Sequence, residues 1–340
     1  MSRIVTFGEI MMRLNPEGYF RFVQANRFEA TYAGGEANVA VSLSNYGQDA
    51  AFVSKVPAHE IGQAAINELR YYGVDVRQVV RGGSRLGIYF AEKGASQRPS
   101  KVIYDRAGSS ISQAAAADFD WEAIFDGADW FHFTGITPAL GGALPQICLE
   151  ACQTAKRLGI QVSCDLNYRK KLWSREEAGR IMGDLMPYVD VCIGNEEDAR
   201  DVFGIAAADT DLNTGKLSQD GYVSVARQLT DRYHFKKVAI TLRGSLSASD
   251  NTWAGMLYSG GRAFFSTTYQ VHIVDRIGGG DSFSGGLIHG LLSGWEDQKV
   301  IDFAAAASCL KHSIEHDFNV VSVDEVQSLA EGNTSGRVQR

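Results

Sequence analysis

Val274-Asp275-Arg276-Ile277-Gly278-Gly279-Gly280-Asp281-Ser282-Phe283-Ser284-Gly285-Gly286 sets a carboxylate directly after three glycines and ahead of an apolar helical stretch. Without side chains, Gly278, Gly279 and Gly280 let their backbone N–H groups approach an anion closely, and the free N-terminus of a following helix adds positive partial charge. A phosphate held there lies beside Asp281, which is then placed to accept the proton of an attacking hydroxyl. The plain alternative is a glycine turn capped by aspartate, which a short glycine motif alone does not exclude.

Working outward, short apolar runs end abruptly in polar or glycine residues, and helical patterns separate them. That is the rhythm of an α/β protein with a mostly parallel sheet. Ile4 to Phe7 ends in Gly8-Glu9, Ile160 to Cys164 in Asp165-Leu166-Asn167, Val189 to Ile193 in Gly194-Asn195, and Val238 to Leu242 in Arg243-Gly244. Ligands of open parallel sheets bind beyond the carboxyl ends of the strands, so these polar residues are expected on one rim. Helices are expected over Ala37–Tyr46, Gly62–Tyr72, Ala143–Leu158, Arg175–Met186, Glu196–Phe203, Val223–Tyr233, Ser282–Leu292 and Val300–Lys311.

Two regions, about 13–33 and 86–108, are rich in aromatic and β-prone residues and read as the strands of a small lid over the rim. The expected division is a core of residues 1–12, 34–85 and 109–330, this lid, and a flexible tail at 331–340. The segment Thr210–Gly221 reads as a polar surface loop.

With 340 residues and 45% hydrophobic content, the chain can bury a large core. A formal charge of −7, spread along the sequence, offers no extended basic face for nucleic acid. The five cysteines, Cys148, Cys152, Cys164, Cys192 and Cys309, lie in apolar segments without CxxC spacing and read as reduced core residues. Neither a signal peptide nor a membrane span is evident, so a cytoplasmic protein with a small-molecule substrate is expected.

Two motifs far apart carry a resemblance. Gly34-Gly35-Glu36-Ala37-Asn38 resembles a GG-x-x-N element, and Asp275 to Asp281 fits D-x-x-G-x-G-D. Together they make the chain similar to the ribokinase-like carbohydrate kinases. The resemblance implies ATP as phosphoryl donor and Mg²⁺ on its phosphates, leaves a monovalent cation open, and implies a sugar site at Gly34, Gly35, Asn38 and Asp275. Phe133 to Leu140, Asp165 to Arg169 with Leu172-Trp173, and Tyr104-Asp105-Arg106 are similar to a subgroup acting on keto sugar acids. The implied reaction is phosphorylation of 2-keto-3-deoxygluconate at its 6-hydroxyl. The chemistry agrees, because an arginine fork matches a carboxylate. Arg106 and Arg169 are the candidates, each with a surface ion pair as its plain alternative, and Tyr89 and Tyr104 are expected to supply hydroxyl contacts.

The nucleotide half departs from the pattern. Asn195-Glu196-Glu197-Asp198 resembles N-x-x-E but ends in Asp, with a plain helix cap at Asn195 as the alternative. Thr241-Leu242-Arg243-Gly244 resembles the nucleotide loop without its second glycine. The expected nucleotide contacts are Asn167, Asn195, Thr241, Arg243, Gly244 and Gly280. Lys311-His312-Ser313 is a candidate flank for adenine. His316-Asp317-Phe318-Asn319 has His where the subgroup has glycine, and Pro57-Ala58-His59-Glu60-Ile61-Gly62 departs from the family's G-x-D-x-x-G.

No protein metal ligands are expected. Lid edges suggest a homo-oligomer. The competing readings are a fructokinase or other sugar kinase of the same fold, a dinucleotide-dependent oxidoreductase, and a non-catalytic sugar-acid sensor. The oxidoreductase fits poorly, because the glycines lie late in the chain and no acidic residue follows a second strand.

Overall fold

The computed structural model describes residues 1–206 and 218–334. Its largest element is a ten-stranded sheet whose main path runs Arg262–Phe265, Asp250–Ser259, Lys237–Ser245, Val191–Gly194, Gln161–Asp165, Trp130–Thr134, Arg3–Phe7, Asp49–Val56, Val79–Arg81. From Lys237–Ser245 to Val79–Arg81 every neighbouring pair is parallel. Buried on both faces, these strands are the continuous apolar runs of the sequence. Antiparallel strands close the Arg262–Phe265 side. Helices cover both faces around large apolar clusters, one of them containing Cys148, Cys152, Cys164 and Cys192. Among the described residues all five cysteines are free thiols.

A second sheet of four strands, ordered Glu29–Ala33, Met11–Asn15, Gly87–Glu92, Lys101–Asp105, is built from the two aromatic regions. Its strand Met11–Asn15 begins two residues before the expected boundary. Arg13 takes the buried side of that strand, together with Met11 and Asn15.

Helix starts are the main departure from the sequence reading. Helices begin at Gly35, Gln219, Gly279 and Asp297, two to four residues before their first apolar-periodic residue. First turns are made of glycine, polar and acidic residues, which suit a positive helix end but carry no hydrophobic period. Of the polar stretch expected as a loop, residues 210–217 lie outside the described residues. Gln219 to Gly221 already belong to the helix Gln219–Tyr233, whose cap Ser218 accepts from the Gly221 N–H. Residues 335–340 of the expected tail also lie outside the described residues.

The helix Gly279–Leu292 is buried almost all round. A Cβ on Gly285 would come within 2.7 Å of Ser42 Cβ, and one on Gly286 within 3.0 Å of Ala304 Cα. These two glycines let neighbouring helices close on it, so the positive end of the helix is held at the rim. No helix among the described residues is long and apolar enough to cross a membrane.

Candidate active site

Gly278 adopts φ 85°, a left-handed conformation that turns the chain into the helix Gly279–Leu292. A Cβ at Gly278 would lie 2.0 Å from the Asp317 carbonyl oxygen, so only glycine fits. At Gly280 a Cβ would meet nothing within 4 Å, because this residue faces open cavity. Asp281 therefore stands inside the first helical turn, not ahead of the helix. Its Oδ2 accepts from Asn38 Nδ2 at 2.6 Å. Burial pushes the Asp281 carboxyl up to about 7 against the pull of that hydrogen bond, with the Asp317 and Glu36 charges adding to the rise.

A cavity of about 820 Å³ spreads from this point between the two sheets. Gly34, Gly35 and Asn38 line it from the start of the helix Gly35–Asn45, and Tyr89, Tyr104 and Arg106 line it from the small sheet. Asn167, Arg169 and Asn195 come from the strand ends, and Thr241 and Arg243 from the far side. With Gly278 to Asp281, the topology thus gathers most of the expected residues at one place.

Two expected residues lie elsewhere. Asp275 does not line the cavity: its Oδ2 accepts from Arg13 Nη2 at 2.5 Å and its Oδ1 from the Ile277 N–H. Gly244 sits within the strand Lys237–Ser245 opposite Thr252, where a Cβ would be 2.4 Å from Thr252 Oγ1. The stretch Thr241 to Gly244 is strand and not loop, because antiparallel pairing with Asp250–Ser259 carries it past Leu242.

Behind the cavity wall lies a buried cluster that joins Tyr89 and Asp317, which line the cavity, to Arg13, which does not. Arg13 is 0% exposed and bridges Asp275 and Asp317, the latter at 2.6 Å. Burial alone would lower the Arg13 pKa, yet the two carboxylates outweigh it and raise it. Tyr89 donates to Asp317 Oδ2 at 2.7 Å, and burial and that carboxylate hold the phenol well above its usual value. This cluster ties the small sheet to the chain on either side of the glycine cradle. Of the candidate adenine flank only His312 lines the cavity: Lys311 is fully buried and donates to the Ile314 carbonyl at 3.2 Å, with burial lowering its pKa, and Ser313 lies outside the lining.

Glu36 is buried, and its Oε1 accepts from the Thr134 N–H, Thr134 Oγ1 and Thr137 Oγ1 at 2.7 to 3.0 Å. Arg106 donates Nε to Glu9 Oε2 at 2.8 Å and pairs through Nη2 with the same oxygen. Arg169 forms no ion pair among the described residues and donates only to the Tyr168 carbonyl.

At Asn195 the cap reading holds, and the residue also lines the cavity. Asn195 Oδ1 accepts from the Asp198 N–H, and Asp198 accepts from the Asn195 and Tyr168 N–H groups. The shorter Asp thus spends its oxygens on backbone. Asp165 faces Asp198 and Asp281, and burial plus those charges raise its pKa well above the carboxylate range. Arg276 lines the cavity beside Arg243, and burial followed by that neighbouring charge lowers its pKa. His312 packs against Trp253 with ring centres 4.8 Å apart, and burial pushes its pKa down to about 4.

Two further departures in sequence pattern, at His316 and His59, have local explanations. His316 adopts φ 64°, the conformation a glycine would take freely. His59 caps the helix Glu60–Tyr71 by accepting from the Ile61 N–H.

Residues 1–314 match the pfkB family of carbohydrate kinases. The chain is 34% identical over 335 residues to a 2-dehydro-3-deoxygalactonokinase of Haloferax volcanii, covering 98% of each. It is 29% identical over 325 residues to a 2-dehydro-3-deoxygluconokinase of Thermoproteus tenax, covering 93% of this chain and 90% of that one. A crystal structure of a 2-dehydro-3-deoxygluconokinase from Thermotoga maritima superposes with a TM-score of 0.94 at 52% identity, covering 97% of this chain and 98% of that one.

Proposed function

Because the chain belongs to the pfkB family of carbohydrate kinases, we propose that it transfers the γ-phosphoryl group of ATP to the 6-hydroxyl of 2-keto-3-deoxygluconate. That substrate is the 2-dehydro-3-deoxygluconate of its relatives' names. One observation carries the reading: Asp281, its carboxyl raised to about 7, closes the glycine cradle in the same cavity as Arg169, which has no ion pair among the described residues.

Asp281 takes the proton of the 6-hydroxyl as that oxygen bonds to the γ-phosphorus. The bond from phosphorus to the bridging oxygen of ADP then breaks. The N–H groups of Gly278 to Gly280 face the charge that develops on the moving group. Arg243 and Arg276 supply positive charge for the polyphosphate, and Arg169 receives the substrate carboxylate. Arg106, already offset by Glu9, contributes hydrogen bonds more than net charge. Among the described residues no three or more acidic, His or Cys side chains are grouped to hold a metal, so Mg²⁺ would be carried in on the ATP phosphates, with the Asp165 carboxyl as the nearby acidic group. When bound, the ion neutralises phosphate charge. The small sheet acts as a lid that excludes water as a competing acceptor.

An ADP-release assay tests this with 2-keto-3-deoxygluconate, 2-keto-3-deoxygalactonate and fructose, in potassium and in potassium-free buffer. The galactonate arm is included because a relative of 34% identity is named for it. A keto acid is expected to exceed fructose in kcat/KM by about 10- to 100-fold, since a charge-assisted hydrogen bond contributes roughly 1.5–3 kcal/mol. Preference for the neutral sugar overturns the reading. Light scattering tests whether the sheet edges Glu29–Ala33 and Lys101–Asp105 seat a second copy, and a monomer at working concentration counts against it.

A further inference from the structure

Glu9 follows the strand Arg3–Phe7 through Gly8 and is only 3% exposed, yet it lines the cavity. Its backbone is wedged against the sugar wall, where a Cβ on Gly34 would lie 1.9 Å from the Glu9 carbonyl oxygen. Its two carboxylate oxygens differ. Oε2 is held by Arg106, whereas Oε1 is buried without a hydrogen-bond partner among the described residues. Gly87 leaves the space that Oε1 occupies, for a Cβ there would approach it to 2.7 Å.

A buried carboxylate oxygen with no donor carries a desolvation cost, which an arriving donor removes. A carboxylate or a ketone has no proton to give, so neither suits this atom. A hydroxyl does. Arg106, which also lines the cavity, keeps Nη1 without a hydrogen bond among the described residues, so the same wall offers a donor as well.

We infer that Glu9 is a specificity-determining residue whose Oε2 fixes Arg106 while its Oε1 accepts a hydrogen bond from a secondary hydroxyl of the sugar-acid chain. The inference rests on the kinase reading and deepens it. It also assigns the two ends of the substrate: the Glu9–Arg106 pair offers a carboxylate no net positive charge, which leaves that group to Arg169, and the hydroxyl-bearing carbons lie along Glu9 and Arg106.

The test measures steady-state kinetics of the wild type and Glu9→Gln on 2-keto-3-deoxygluconate and on its 4-deoxy and 5-deoxy analogues. Glutamine still offers Arg106 an acceptor, but it places a donor where Oε1 was. The expected result is a KM for the parent keto acid raised about 10- to 100-fold with an unchanged KM for ATP. The wild type should reject one deoxy analogue by at least about 10²-fold, because a site built to bond a hydroxyl penalises its loss. On that analogue Glu9→Gln and the wild type should perform alike.

Equal losses on all three substrates, or a parallel rise in the KM for ATP, assign Glu9 a structural role and overturn the inference. A wild type that accepts both deoxy analogues like the parent overturns it without any variant. Absence of wild-type turnover on any keto acid fails the kinase reading instead, and is told apart by that first measurement.

Discussion

The glycine cradle and the sugar wall meet at Asp281 but are built in opposite ways. The cradle is a contiguous run, Gly278 to Asp281, whose chemistry lies in backbone N–H groups at a helix start. The sugar wall is a set of side chains from distant segments, backed by Arg13, which reaches partners 262 and 304 positions away. A site made of backbone depends on local conformation, whereas one made of buried charges depends on the whole topology closing correctly. The first should fail through catalysis when altered, the second through stability and substrate affinity.

Arg13→Met should separate the two most strongly. Removing one partner of a buried ion pair leaves uncompensated charge on Asp275 and Asp317, at a cost of about 3–5 kcal/mol in urea unfolding. Gly280→Ala in the cradle, where a Cβ has space, should change stability by no more than about 0.5 kcal/mol. Equal costs would break the comparison. Gly278→Ala should lose about 10²- to 10³-fold in turnover, through strain and a displaced N–H donor, and should also lose stability. Gly280→Ala should lose turnover alone.

The pH dependence sharpens the comparison on the catalytic side. A base must be deprotonated to act, so with its carboxyl at about 7 the kcat/KM should fall about tenfold per pH unit below that value and level off above it. Smallest of all, Arg169→Ala should raise the KM for the keto acid about tenfold while leaving that for ATP near wild type.

How far the sequence could be read follows the same division. The parallel strands were visible because burial on both faces demands unbroken apolar runs, and Asp281 was visible because its chemistry needs adjacent glycines. Helix starts were placed late, since Gly279, Gly280 and Asp297 to Lys299 carry no hydrophobic period. The extension of a strand through Arg243 and Gly244 was hidden because its cause lies in the partner strand at Thr252 and Trp253.

Asp275 was read toward the sugar from its motif alone, whereas Arg13 claims it. The one local sign of this was an arginine on the inward-facing alternation of Met11–Asn15. Glu9 and Asp165 stood at strand ends already expected on the rim. That Arg106 grips Glu9 becomes visible only when the small sheet is folded over it.

Single-turnover transfer by Asp281→Asn, with the dissociation constants of ATP and keto acid measured on the same preparation, tests the central claim most directly. Both ligands should bind within a few-fold of wild type while the transfer step slows about 10²- to 10⁴-fold. The fold supplies a control of opposite sign. The folded carboxyl is raised from 3.8 to about 7, so ionising it costs stability as pH rises through that window. The variant should therefore melt higher than wild type at pH 8 and like it near pH 4. A transfer rate close to wild type with both substrates bound would contradict Asp281 as the base.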